Sequence, residues 1–140
     1  MLNKRYIGLD FGGRRVGVAV SDPGGLIAQP HDTLVVKSLD EVVSGVCRLV
    51  AEFDAAGVVL GLPLNLSGDD SDLSTTVRRF ADRLRAACPV PIHFEDERLS
   101  SKQAEATLHA MGKKIKGNKE KIDRISAALI LQTFLDRLNR

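Results

Sequence analysis

Asp10 is the residue whose type and position point most directly to chemistry. It lies near the end of an apolar segment, and two glycines, Gly12 and Gly13, follow closely. Aspartate is depleted in strands because its short charged side chain packs poorly and resists burial. A strand that tolerates one usually gives the charge a metal ion or another cation, and the glycines leave room for a phosphate backbone. The pattern indicates metal-dependent phosphoryl chemistry, without saying which kind.

Two further acidic sites occur later in the chain. Asp96 and Glu97 follow a predicted strand, at the carboxyl end where sheets of this type usually bind ligands. Asp123 begins a stripe on the predicted last helix whose other members are apolar. Plainer explanations stay open, because surface ion pairs would also account for Asp96 and Glu97, and the helix dipole for Asp123. The remaining stripe positions are Ala127, Ile130 and Phe134.

A sheet is needed to bring these acids together, and the sequence predicts one. Three strands, near residues 5–11, 15–21 and 33–36, have short connections that favour an antiparallel meander. Two more strands, near residues 58–60 and 90–95, alternate with helices and favour right-handed crossovers. The loop that follows the fourth strand is predicted to run from Gly61 to Asp70.

Four helices are predicted to cover this sheet. The first begins at Ser38, with Glu41 completing a capping box, and Gly57 stops it. Ser100 and Gln103 form a second capping box, which opens the third helix. The order β-β-β-α-β-α-β-α-α predicts one mixed five-stranded sheet, with three antiparallel strands, two parallel strands and helices on both faces. This is the layout of the ribonuclease H-like fold. The second, third and fourth helices cover about residues 73–84, 100–112 and 120–138.

Composition sets limits on the class of protein. With 140 residues, 44% of them hydrophobic, the chain is predicted to form a single domain over residues 1–140. Its net charge is only +2, but residues 113–124 hold six cations against two acids. Two cysteines are too few for a disulfide framework, and Cys47 is predicted to be a small core residue. Without a signal peptide or a membrane-length apolar run, we expect a cytoplasmic protein with no membrane partner.

The acids predict a particular kind of metal site. Three carboxylates on the first strand, a later strand end and the last helix can converge in this topology, and they would repel each other without cations between them. Oxygen ligands suit Mg2+ or Mn2+, and two such ions can activate a water and stabilise a leaving oxygen. The three histidines are scattered and offer no zinc alternative.

Four sequence blocks, in order, resemble the YqgF/RuvX family of Holliday junction resolvases, which are also described as pre-16S rRNA nucleases. The resemblance implies a ribonuclease H-like, metal-dependent endonuclease, a hydrolase with Asp10, Glu97 and Asp123 as catalytic and metal-binding residues. Many related nucleases use four carboxylates. Asp96 is the nearest candidate for a fourth, although neighbouring strand residues point to opposite faces. The blocks are Gly8–Gly12 with Arg15–Asp22, Gly61–Pro63 with Gly68, Asp96–Ser101, and Lys121–Gln132.

Several cations are predicted to contact nucleic acid. The lysine-rich segment precedes the helix that carries Asp123, which favours phosphate contact over a merely solvated surface. Arg14, Arg15 and Arg98 are expected either to hold phosphates near the metal ions or to pair with neighbouring acids. The complete predicted set is Arg14, Arg15, Arg98, Lys113, Lys114, Lys116 and Lys119.

The predicted function is hydrolysis of phosphodiesters in structured RNA or branched DNA. The preferred role is 5′-end processing of pre-16S ribosomal RNA in ribosome biogenesis. The alternatives are a Holliday junction resolvase of recombination and repair, a nucleic-acid-binding module with little catalysis, and an ATP-handling protein of the actin-like superfamily. The last would need two such domains. The sequence does not separate RNA from DNA or fix the oligomeric state, although junction resolution would require a dimer.

Overall fold

The computed structural model describes residues 4–97, 106–107, 109–110 and 118–140. Its strands are β1 (Tyr6–Phe11), β2 (Arg15–Ser21), β3 (Ala28–Val35), β4 (Gly57–Leu62) and β5 (Ile92–Asp96). The helices whose two ends are described are α1 (Leu39–Phe53), α2 (Asp72–Ala87) and α3 (Lys119–Leu138). Residues 106, 107, 109 and 110 are helical as predicted, whereas the capping box proposed for that helix lies outside the described residues.

The five strands form one mixed sheet in the order β3-β2-β1-β4-β5. β1 and β3 both pair antiparallel with β2, while β4 lies parallel to β1 and β5 parallel to β4. A tight turn joins β1 to β2, where Gly13 has a φ of 94° and the Gly12 N–H donates to the Arg15 carbonyl over 2.9 Å. The predicted fold class is confirmed.

The two faces of the sheet are covered by different helices. Successive strand residues point to opposite faces, so Ile7, Leu9 and their equivalents pack against α1 and α2. The other face packs against α3 through a smaller apolar cluster. The apolar members of the stripe predicted on the last helix are buried, with Ala127 fully so. Among the described residues, no helix combines the length and apolar character needed to cross a membrane.

The end of α1 differs from the prediction. Ser38 caps the start of the helix, accepting the Glu41 N–H over 3.2 Å, but Gly57 does not stop it. The helix ends at Phe53, and Asp54 takes the left-handed conformation with a φ of 50°. Gly57 instead opens β4, where a β-carbon would lie 3.0 Å from the Tyr6 ring.

Two predicted strand boundaries were also wrong. β3 begins at Ala28, well before the predicted start, and its pairing with β2 is irregular opposite Val18 and Ala19. This edge strand contains Pro30, and edge strands tolerate proline because its missing N–H need not join the ladder. β4 continues to Leu62, so Gly61 belongs to the strand and not to the following loop.

The two cysteines lie side by side despite their separation in sequence. Cys47 on α1 and Cys88 at the end of α2 are free thiols with their Sγ atoms 2.6 Å apart. Cys47 is half-buried and packs against the larger core, as predicted. Burial, with the neighbouring Cys47 thiol, raises the pKa of Cys88 to about 12. Neither helix pattern could have indicated this pairing.

Candidate active site

Asp10 lies on β1 and points towards α3. Its neighbours Leu9 and Phe11 are buried on the opposite face, which follows from strand alternation. On β2 its partner is Gly17. On β4, Gly61 lies at the same level, because Leu9 pairs with Leu60. Asp10 is therefore flanked on both sides by residues without a side chain.

Gly17 allows the backbone of α3 to rest directly on the sheet. A β-carbon at this position would overlap the main-chain carbonyl of Asp123. The same close approach recurs at Gly8, where a β-carbon would lie 2.9 Å from the Ala127 carbonyl oxygen. Because Gly17 pairs with Asp10, this contact brings Asp123 close enough for its charge to act on Asp10.

On the other side of Asp10, Gly61 leaves space for the side chain of Glu97. Glu97 directly follows β5, and its N–H donates to the Leu62 carbonyl over 3.2 Å. A β-carbon on Gly61 would lie 2.9 Å from Glu97 Oε2 and 2.5 Å from Ile130 Cδ1. The space left by this glycine lets the Glu97 carboxyl group reach over β4 and hydrogen-bond Asp10. Glu97 is buried, with 9% of its surface exposed.

The environment of Asp10 disfavours its charge. Burial raises the pKa of Asp10 above its ordinary 3.8, and repulsion from Asp123 raises it further. Hydrogen bonds with Glu97 and Ser126 act in the opposite direction but do not cancel the rise. Two carboxyl groups can hydrogen-bond only while one of them holds a proton. The pair is therefore a place where a proton or another cation is required.

Ser126 is a site residue that the sequence reasoning missed. It is 1% exposed and hydrogen-bonds the Asp10 side chain from α3. It follows Asp123 by three residues, so both lie on one side of the helix. The signal that could have revealed it is a polar residue next to the apolar stripe and one turn after the acid.

Asp123 forms an ion pair with Arg15. The Arg15 Nε donates to Asp123 Oδ2 over 2.6 Å, and this bond raises the pKa of Arg15. The side chains are 31% and 18% exposed, respectively. Asp123 is the fifth residue of α3, past the first turn where the dipole is strongest, so the dipole is a poor explanation for it. Of the two roles left open for Arg15, pairing with an acid is the one seen in this structure.

The two other acids of β5, Asp96 and Glu95, differ in position and in hydrogen-bond partners. Asp96 is exposed and lies on the face opposite Glu97, which agrees with its doubtful standing as a fourth ligand. Glu95 shares the face of Glu97 but accepts two hydrogen bonds from Arg137, at 2.9 and 2.6 Å. This bond ties the end of α3 to β5 and was not predicted.

The predicted nucleic-acid contacts are only partly described. Arg14 is exposed at the β1–β2 turn, and Lys119 is exposed at the start of α3. Both lie near the Arg15–Asp123 pair in the chain. The other predicted contacts, Arg98, Lys113, Lys114 and Lys116, lie outside the described residues.

The donor set fits a divalent ion in its chemistry. Asp10, Glu97 and Asp123 offer only carboxylate oxygens, the ligands that Mg2+ and Mn2+ prefer. Within the described ranges, however, no three acids, histidines or cysteines are grouped as a complete metal site. Asp10 and Glu97 are already in contact, while the Asp123 carboxylate is bonded to Arg15.

Solved structures with the same architecture include two resolvases. The Thermus thermophilus RuvC in complex with a Holliday junction substrate aligns with a TM-score of 0.60, 17% identity and 96% coverage of each chain. The fowlpox virus resolvase in its Holliday junction complex gives a TM-score of 0.59 at 10% identity, over 97% of this chain and 99% of that one. The fold is therefore that of the ribonuclease H-like resolvases.

Sequence comparison identifies the family within this class. The RuvX family, described as Holliday junction resolvase, matches residues 4–137. A Syntrophomonas wolfei protein named "Putative pre-16S rRNA nuclease" is 44% identical over 132 residues, 94% of each chain. A Rickettsia canadensis protein of the same name is 34% identical over 138 residues, 99% of this chain and 90% of that one. The chain belongs to the RuvX family of nucleases, which are hydrolases acting on ester bonds, and the resemblance drawn from its motifs is confirmed.

Proposed function

We propose that this chain is a metal-dependent endonuclease that trims the 5′ end of precursor 16S ribosomal RNA. The observation that carries the proposal is the meeting of Asp10 with Glu97 across Gly61, beside the charge of Asp123. A nuclease needs such a cluster, whereas a binding module gains nothing from acids that repel both each other and phosphate. The names of the relatives support RNA as the substrate.

The side chains have distinct roles in this mechanism. Asp10 and Glu97 would hold Mg2+ or Mn2+, joined by Asp123 on release from Arg15. When bound, the ion supplies an activated water and stabilises the leaving oxygen. Ser126 fixes the direction of the Asp10 carboxyl group through its hydrogen bond. Arg14, Arg15 and Lys119 contact substrate phosphates.

A four-way DNA junction is the second candidate substrate. The description of the family as Holliday junction resolvase favours it. Both nucleic acids present the same phosphates, and the acidic cluster does not distinguish RNA from DNA. The choice depends on residues that read branching or the 2′-hydroxyl.

One cleavage experiment tests these alternatives. A precursor 16S rRNA 5′ fragment and a four-way DNA junction would each be incubated with the protein in Mg2+ or Mn2+. We expect the unmodified chain to cleave the RNA, Asp10→Asn to be inactive, and the exposed control Asp96→Asn to keep its activity. Cleavage of the junction alone would favour the resolvase, and binding of either without cleavage would favour a binding module.

A further inference from the structure

A cavity beside the acidic cluster is lined mainly by cations. Its volume is about 450 Å³, and it lies between the start of β2 and the start of α3. Four of its six lining residues are basic and one is acidic, so the lining carries a charge of +3. A concave surface with this charge attracts anions. The lining residues are Arg15, Asn118, Lys119, Glu120, Lys121 and Arg124.

One wall of this cavity is fixed to the edge of the sheet. The Thr33 hydroxyl on β3 donates to the Glu120 carbonyl over 2.9 Å. Arg124 in turn donates from Nη1 to the same Thr33 oxygen over 3.3 Å, and it is half-buried. Arg124 is therefore held in position, unlike a lysine side chain that is free to move through solvent.

Arg15 belongs to both the cavity and the acidic cluster. Its Nε bonds Asp123, while the side chain also lines the cavity. A guanidinium group presents five N–H donors in a planar fork that suits phosphate as well as carboxylate. A phosphate entering the cavity would compete with Asp123 for this guanidinium group.

We propose that this cavity binds a backbone phosphate away from the scissile bond, and that this phosphate draws Arg15 away from Asp123. The inference rests on the proposed function and adds a binding subsite to it. Lys121 and Arg124 lie in the cation-rich stretch that the sequence indicates, outside the predicted set of nucleic-acid contacts, and they belong to this subsite. When a phosphate occupies the cavity and Arg15 turns towards it, the Asp123 carboxylate becomes available as a metal ligand.

The first test measures binding of the two candidate nucleic acids in EDTA at several salt concentrations. We expect Lys121→Ala and Arg124→Ala each to reduce the slope of log affinity against log salt by about 0.7–0.9, the loss of one phosphate contact. Arg79→Ala is the matched control, since Arg79 is exposed on α2 at the opposite face, and its slope should not change. Arg124→Lys keeps the charge and should retain the slope. Unchanged slopes in both alanine variants, with intact circular dichroism, would overturn the subsite.

The second test measures Mn2+ binding by calorimetry without nucleic acid. Arg15→Gln should bind Mn2+ about two- to fivefold more tightly, because a partly exposed ion pair no longer competes for Asp123. Lys119→Gln removes a nearby charge that makes no bond to Asp123, and it should change the affinity less. If Arg15→Gln and Lys119→Gln changed the Mn2+ affinity equally, the proposal that Arg15 moves from Asp123 to phosphate would be wrong.

The outcomes separate the subsite from the proposed function. Cleavage by the unmodified chain with unchanged salt slopes would leave the nuclease standing and remove the subsite. Reduced slopes without any cleavage would retain the subsite and remove the nuclease. Asp10→Asn, which lacks cleavage under the proposal, should still bind with the full salt slope.

Discussion

Asp10 is a carboxyl group that folding makes harder to ionise. Burial is the main cause and the charge of Asp123 adds to it, so the pKa of Asp10 lies above 3.8. The folded protein therefore holds this proton more tightly than the unfolded chain does. The stability from this proton is fully present below pH 3.8, and it is lost as the pH rises through the raised pKa.

Replacing Asp10 with Asn should stabilise the metal-free protein at pH 7, since no charge then has to be buried near Asp123. The advantage should shrink as the pH falls through the raised pKa of Asp10 towards 3.8, because the unmodified side chain is then neutral in the folded protein. Urea denaturation in EDTA across this pH range measures the difference. Asp96→Asn, which replaces an exposed residue at the end of β5, is the control and should have little effect. Lower stability of Asp10→Asn at pH 7 would identify Asp10 as a required hydrogen-bond acceptor.

Divalent ions should restore the stability that the protein loses through repulsion among the carboxylates of the acidic cluster. Mg2+ at ten times its Kd should stabilise the unmodified chain by about 1.4 kcal/mol, because only the folded state offers the site. Asp10→Asn should lose most of this response. Melting temperatures with and without Mg2+, at constant ionic strength, provide the measurement. A full response in the variant would show that the ion binds elsewhere.

Glu95 is a second buried glutamate on this face, beside Glu97, and its carboxylate accepts two hydrogen bonds from Arg137. The Glu95 side chain is 7% exposed, whereas Arg137 is 55% exposed. We expect Arg137→Ala to destabilise the fold by about 1–3 kcal/mol, because it leaves a buried carboxylate without its donor. Adding Glu95→Gln should recover part of the loss. Chemical denaturation of the single and double variants measures the coupling between the two residues. An Arg137→Ala protein with an unchanged free energy of unfolding would refute the prediction.

At the scale of elements, the contact between α3 and the sheet depends on glycine. Gly17→Ala should destabilise the protein by at least about 2 kcal/mol, since main chain cannot give way as a flexible side chain can. Gly45→Ala is the matched control on α1, where the new carbon would lie 3.7 Å from Leu34 Cδ1. That substitution should stabilise α1 by about 0.5–1 kcal/mol. Thermal unfolding of both variants measures the difference in stability. A Gly17→Ala protein as stable as the unmodified chain would contradict the prediction.

The sequence predicted the elements better than the contacts between them. The antiparallel and parallel strands of the mixed sheet and the buried side of α3 follow from short connections and helical spacing, which are local properties. The bond between Arg15 and Asp123 joins residues 108 positions apart, and no local pattern specifies it. The sequence predicts a loop that starts at Gly61, whereas in the structure Gly61 lies in a strand that two side chains approach closely.

At the scale of the whole molecule, the two faces of the sheet serve different purposes. The face under α1 and α2 is the larger apolar core, and the face under α3 carries the candidate site. The charge excess near α3 was predictable because it is confined to one stretch of sequence. The pairing of Cys47 with Cys88 on the first face was not predictable, since it depends on how two helices pack.

Oxidation should join those two helices covalently. In oxidised glutathione, one cysteine forms a mixed disulfide, and the other displaces glutathione to close the bond. The closed protein should lose two hydrogen atoms in mass and gain roughly 3–4 kcal/mol in stability on the chain-entropy estimate. The raised pKa of Cys88 predicts slow closure at neutral pH. Intact mass spectrometry tests this, with Cys47→Ser as control, and persistent free thiols would contradict it.

The glycine contacts under α3 also affect how this protein can tolerate change. At Gly17 the α3 backbone lies directly against the strand, and at Gly8 the Ala127 carbonyl oxygen does so beside Leu131 Cβ, so main-chain contact largely sets the spacing between α3 and the sheet. Substitutions among the apolar residues beneath α1 and α2 would then alter stability while leaving the acids in register. The face of the sheet under α1 and α2 should therefore tolerate many substitutions, whereas the face under α3 should tolerate few. A library randomised at Val42, Val46 and Val50 should yield many active members, and one randomised at the two glycines almost none.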